Sequence, residues 1–327
     1  MFDPHPLSRS ALAWTVLLCT ACAVLAGCAD DDDEPTQEFV PPDDDGRNWI
    51  LVDNIHTLFQ NPDKKAFRGN YEYDGMHGYH RLFRHLEAND YPYRQIFHTS
   101  RNERLTPEVL DGFKILFINL LTRDRPDFTA SEIEAIHDFV RNGGGLFVIA
   151  DHTNVYRHAE RLNPLLMPMG VEVHFSTATD VGNFARGGYW LIMRNFDRTT
   201  PAGSALLEGV DFAAWQTGGT FITDHGFAFT SVDGFADFWN LGDESDPGYY
   251  GNGGWDEGAC GNDGICVPLG SATDGQSCTM DTECEGEPRS SLPVMAATTF
   301  GQGRLAVVGD QNIFGDEWLF VAQNFEL

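Results

Sequence analysis

The sequence predicts an α/β fold: a mostly parallel sheet with helices on both faces, carrying a late disulfide-rich insertion. Three observations predict it. Short unbroken apolar runs alternate with amphipathic helical patterns from Trp49 to Met169, one of those helices has both ends marked, and four cysteines crowd into 25 residues near the end. Apolar runs without alternation belong to strands covered on both faces, and a strand–helix repeat makes those strands parallel.

Trp49 to Asp53 (WILVD) is the first such run. In the following helix, over residues 77–90, Tyr79, Leu82, Phe83 and Leu86 recur at i, i+3, i+4 and i+7, which gives one buried face. Tyr93 to His98 reads as a second strand and KILFIN, residues 114–119, as a third. TASEIEAIHDFVRN, residues 129–142, opens with Thr129 and Glu132 at capping-box spacing and ends at Gly143, Gly144 and Gly145. LFVIA, residues 146–150, is the fourth strand, followed by a helix ending near Met169. The second half is less regular: Tyr189 to Met193, Thr220 to Phe229 and Pro293 to Phe300 suggest strands. The Gly301–Gly303 turn then leads into RLAVVGD, predicting an antiparallel hairpin at or near the sheet edge.

The start of the chain predicts export. Arg9 precedes an apolar run, Ala11 to Ala26, too short for a spanning helix by default, and LAGC closes it at Cys28. LAGC resembles the lipobox of bacterial lipoproteins. That resemblance implies a signal peptide over residues 1–27, lipid on Cys28, and attachment to a membrane with the folded part extracytoplasmic. Ala29 rather than Asp follows the cysteine, so the outer membrane or cell surface is the expected place where the organism has two membranes. Residues 29–47 hold nine acids and three prolines, so the stretch 28–47 reads as an acidic, solvated tether. The formal charge of −28 excludes nucleic acid as a partner of the folded part.

A main domain is predicted over residues 48–327, with a Gly/Asp/Cys-rich insertion at 243–289. Cys260, Cys266, Cys278 and Cys284 predict two disulfides, with three pairings open. The rival reading, a four-cysteine zinc site, lacks the CxxC pairs such a site favours.

FTASEIEAIHDFVRNGGGLFVIADHTN, residues 128–154, and GQGRLAVVGDQNIFGDE, residues 301–317, resemble the class I glutamine amidotransferase-like fold, a flavodoxin-like architecture, in an uncharacterised bacterial branch. Glutaminase chemistry in that fold needs a cysteine on the sharp turn after a strand. Ala150, Asp151, His152 and Thr153 stand there instead, so the resemblance implies fold and not glutamine hydrolysis.

In an open parallel sheet, ligands bind beyond the carboxyl ends of the strands. Asp53, Asn54 and His56 follow the first predicted strand, Asp151, His152 and Asn154 the fourth, and Asp310 and Asn312 the last. Asp74 and His77 lead toward the first helix, and His225 interrupts a later apolar run. Carboxylate and imidazole together can ligate a divalent metal or act as a base with its orienting partner, which makes Asp151, His152 and Asp310 the candidate catalytic set. The alternatives are a polar pocket built from the same residues, or ordinary caps and turns. Two functions follow: a surface-anchored domain binding a polar ligand or serving as a scaffold, or a hydrolase, metal-assisted or not, acting on a glycan or peptide. The candidate ligands are a glycan, a peptide or a protein.

Overall fold

The computed structural model describes residues 39–42, 45–57, 78–97, 103–122, 125–184, 190–238, 254–268 and 271–316. All lie within one compact unit, Pro35–Leu327. The predicted signal peptide, Cys28, Asp74 and His77 lie outside the described residues.

Strands β1 (Ile50–Asn54), β2 (Tyr93–Phe97), β3 (Ile115–Ile118) and β4 (Gly145–Ile149) form where the apolar runs stand. With the final strand, Gly303–Val308, they make a parallel array ordered β2, β1, β3, β4, final strand. This is the flavodoxin-like order, whose direction of winding reverses between β1 and β3. Pro293–Phe300 then pairs antiparallel with the final strand, Gly226–Phe229 with Pro293–Phe300, and Asn195–Phe196 with Gly226–Phe229, completing eight strands.

The predicted hairpin therefore forms, but inside the sheet rather than at or near its edge. Two further strands from the irregular second half cover its outer side, and Asn195–Phe196 takes the edge. The run from Thr220 to Phe229 is two strands, Phe221–Ile222 and Gly226–Phe229. Trp190–Met193 leaves the main sheet to pair with Ala213–Gln216.

Helices cover both faces. Helix α1 (His80–Ala88) packs Phe83 over β3 and β2, with Phe117 and Tyr93 at ring-centroid distances of 5.5 and 4.8 Å. On the opposite face lie α2 (Pro107–Leu110), α3 (Ala130–Arg141) and α4 (His158–Leu166), burying Leu110, Ile136, Val140, Leu162 and Leu165 against Leu51, Leu116, Val148 and Val307. Strand residues alternate strictly between these two cores: Ile50, Val52, Phe117, Ile149 and Val308 face α1. The capping box at Thr129 and Glu132 is present in full.

Contacts with the core begin before the predicted domain boundary. Phe39 stacks on Phe113 at 6.1 Å and the Val40 carbonyl accepts a hydrogen bond from Arg94, so residues 39–42 belong to the domain rather than to a solvated tether.

In the insertion, Cys260 pairs with Cys278 and Cys266 with Cys284, around the ribbon Ala259–Cys260 and Cys266–Val267. Glu287 docks this module: its carboxylate accepts the Phe238 and Asp256 N–H groups at 3.2 and 3.0 Å. Burial and the neighbouring Asp237 push Glu287 up to about 7.

Candidate functional site

The strict alternation runs to the ends of the strands, at Asn54, Ile118, Ile149 and Val308. Asn54, at the end of β1, shares the parity of Val52, and Asn119, Asp151 and Asp310 stand two residues after Phe117, Ile149 and Val308, which by the same count assigns all four to the α1 side of the carboxyl rim. Val52 is in register with Phe117 and Ile149 with Val308. Asn54 thus stands beside Asn119, and Asp151 beside Asp310, on strands about 4.8 Å apart. Two amides stand at the β1/β3 switch point, and two acids follow β4 and the final strand.

These residues are buried, and several of their polar atoms have nothing to bond. Asn119 is fully buried with neither Oδ1 nor Nδ2 partnered; Asn54 Oδ1, Trp215 Nε1, Gln216 Oε1 and Gln311 Oε1 are also unpartnered. Most buried side-chain polar groups are paired; here six unpartnered atoms belong to this rim and the segment over it, and His56 Nε2, Thr177 Oγ1 and Thr179 Oγ1 are unpartnered as well.

The acid pair is held from above by the Trp215–Thr220 segment. A Cβ on Gly219 would lie 2.5 Å from the Asp151 carbonyl oxygen, and one on Gly218 2.8 Å from Asp310 Cβ, so only glycines allow this approach. Asp310 Oδ2 accepts the Gln216 N–H at 2.6 Å and Oδ1 the Asn312 N–H at 2.7 Å. Asp151 Oδ1 accepts the His152 N–H at 2.7 Å. Burial, reinforced by Asp310, pushes Asp151 well above the usual carboxylate range. Burial pushes Asp310 up to about 7 against its hydrogen bonds. Two like charges side by side in low dielectric cannot both form, so the pair retains a proton near neutrality.

His152 is buried next to Asp151. Burial, then the neighbouring His158, pushes it down to about 3, and its Nδ1 lies 3.1 Å from Thr153 Oγ1. Its Nε2 is 3.8 Å from Asp151 Oδ1, beyond a hydrogen bond.

Asp53 and His56 belong elsewhere. Asp53 has the parity of Leu51 and faces α3, where Oδ1 accepts the Ile55 and His56 N–H groups and Oδ2 lies 2.8 Å from His56 Nδ1. His56 Nε2 is 3.5 Å from Glu132 Oε1, and the ring lies on Phe128 at 3.9 Å. Burial opposes the imidazolium, but the Asp53 and Glu132 carboxylates outweigh it and raise His56 to about 9. These three form a buried charged group on the α3 face, in which His56 Nδ1 is hydrogen-bonded to Asp53 while Nε2 meets Glu132 only at ion-pair distance. Asn154 caps the turn into α4, accepting the Ala159 N–H at 3.1 Å and donating to Glu160 at 2.9 Å. Asn312 Nδ2 donates to the Gln216 carbonyl at 3.3 Å, bracing the segment over Asp310. His225 is exposed beside Gly170, away from the rim.

Asp151, His152 and Asp310 do not converge as a metal-binding set. Among the described residues, the one trio of His, Cys, Asp or Glu ligand atoms within 4.8 Å of one another is Cys266, Cys278 and Cys284, whose sulfurs are engaged in the disulfides. Asn119, Trp215, Gln216 and Gln311 escaped the sequence reading. Asn119 had a signal, since it ends KILFIN as Asp53 ends WILVD; the other three depend on a segment folding back over the rim.

No protein-family profile and no curated protein matches the chain. Among solved structures, it is similar to the mmIFT52 N-terminal domain at 17% identity, covering 85% of this chain and 92% of that one with a TM-score of 0.49. A protein described as ThuA-like from Bacteroides uniformis aligns at 12% identity over 90% of this chain and 91% of that one, TM-score 0.42. A cytoplasmic protein of Salmonella typhimurium aligns at 10% identity over 85% and 97%, TM-score 0.38.

Proposed function

We propose that the chain is a lipid-anchored extracytoplasmic protein whose amidotransferase-like domain lacks glutaminase chemistry and binds a small polar ligand at the carboxyl rim of its sheet. The observation that carries the binding reading is the buried row Asn54, Asn119, Asp151 and Asp310, with Asn119 wholly unpartnered. A residue that costs stability without bonding to its own fold is best explained by a ligand.

Asn119→Leu tests this on the empty protein. Leucine fills a similar volume and leaves no orphaned amide, which removes a penalty of about 1–3 kcal/mol. The variant is expected to melt several degrees higher than the wild type and to lose any thermal shift that compounds of a small-molecule library produce in the wild type. A variant that melts several degrees lower would mean Asn119 holds the fold, and the pocket reading would fall.

The anchor rests on the LAGC string at Cys28. Cys28→Ser is expected to abolish incorporation of labelled palmitate and to move the protein out of the membrane fraction. Unchanged labelling would remove the lipoprotein reading.

Hydrolysis of a glycan or peptide is the second reading, supported by one observation: Asp310, pushed up to about 7, holds a proton at the pH where a general acid works. Both of its oxygens already accept backbone N–H groups and His152 is neutral, so binding is the reading the geometry favours.

A further inference from the structure

The amino end of α1 lies beside the same rim, where the Tyr79 hydroxyl donates to the carbonyl of Gln311, the residue after Asp310. A helix amino end at the switch point is where doubly wound sheets dock phosphates and other anions, through free N–H groups and the helix dipole. Here that place is taken. The Arg81 N–H donates to Asp316 Oδ1 at 2.7 Å, and the Asp316 N–H donates in turn to the Gly78 carbonyl at 2.7 Å. Asp316 is 4% exposed, flanked by His80 and Arg81, and Tyr79 reaches the neighbouring Gln311 carbonyl through its hydroxyl. The chain supplies its own carboxylate where a ligand's anion would sit.

The rim residues named above carry no compensating positive charge among the described residues. Arg161 is the one buried Lys or Arg, and it is held at α4 by the Thr122, Arg125 and Pro126 carbonyls and by Asp127. The unpartnered atoms are neutral and mixed: Asn119 offers a donor and an acceptor, Trp215 a donor, and Asn54, Gln216 and Gln311 acceptors. An anion would meet a negative protein of net charge −28 with its one natural dock filled.

We infer that the pocket takes an uncharged ligand bearing hydroxyl or amide groups, and that Asp316 sets this choice by occupying the anion dock at the amino end of α1. The inference rests on the rim being a ligand pocket.

Its test uses inorganic phosphate as the probe, titrated at constant ionic strength into the full mature chain and followed by calorimetry and thermal melting. The wild type is expected to show no saturable response. Asp316→Ala frees the Arg81 N–H and is expected to bind phosphate at least tenfold more tightly than the wild type. Asp316→Asn keeps an acceptor for that N–H while removing the charge, and it decides the matter should the alanine variant fail to fold, with a smaller gain expected. Saturable phosphate binding by the wild type, or no gain in a folded variant, overturns the inference. The outcomes separate from those of the pocket reading: a phosphate gain at Asp316 together with a destabilised Asn119→Leu would remove the pocket while leaving Asp316 as the occupant of an anion dock.

Discussion

Asp310→Asn is expected to flatten the fall in stability that the wild type shows between pH 5 and pH 8. The folded protein holds the Asp310 proton up to about pH 7, against an ordinary aspartate value of 3.8. The folded state therefore binds protons more tightly than the unfolded state. The associated stability is fully present below the unfolded value and is lost as pH rises through about 7. About three pKa units at 1.4 kcal/mol each give a total of about 4 kcal/mol, of which about 3 kcal/mol lies between pH 5 and pH 8. Asparagine cannot ionise, so urea titrations across that range should lose the share of the slope that Asp310 contributes. One of the two N–H groups, of Gln216 or Asn312, then lacks an acceptor, a constant cost of about 1 kcal/mol at every pH. Asp151, raised chiefly by its own burial, and Glu287, pushed up to about 7, leave a residual slope in the variant. A slope equal to the wild type's would show that Asp310 ionises freely, and the description of a proton-sharing acid pair would be wrong.

The parts of the fold legible in the sequence were those whose pattern is local. WILVD, KILFIN and LFVIA announce strands because each is buried on both sides, and Thr129 with Glu132 marks a helix start through bonds spanning three residues. The sheet's far half was less legible because its strands are short and its register depends on partners far apart: Gly226–Phe229 pairs with Pro293–Phe300 across a bulged register. The site divides in the same way. Asp151 and Asp310 were found because acids at strand ends on a parallel sheet can be read directly. Asp53 and His56 satisfied the same rule yet belong to the other face, since one residue along a strand reverses the direction of a side chain. That parity was available in the sequence, where Asp53 follows Val52 and Asn54 follows Asp53. What it lacked was the identity of each face, which Glu132 supplies only once α3 is packed.

His56→Ala is expected to be the most damaging single substitution among the candidate residues, and its cause lies wholly in the fold. Removing the imidazolium leaves Asp53 and Glu132 facing each other in a dry interior, with side chains 0% and 2% exposed. Breaking a buried pair in this way costs about 3–5 kcal/mol because an uncompensated charge remains. At about 2–4 °C per kcal/mol for a domain of this size, melting should fall by roughly ten degrees. The pH limits are equally defined. His56, raised to about 9, contributes stability that is full below its ordinary 6.5 and lost as pH rises through about 9. Glu132, lowered to about 2 by the hydrogen bonds of His56, Thr129 and Leu105 against its burial, contributes above its ordinary 4.5 and loses that as pH falls toward 2. Neutralising the whole group separates charge from packing: His56→Leu combined with Asp53→Asn and Glu132→Gln leaves no buried charge and should recover part of the loss. Should His56→Ala instead melt like the wild type while changing ligand-induced shifts, the triad would belong to the pocket after all. Asp53 would then face the α1 side of the sheet rather than α3.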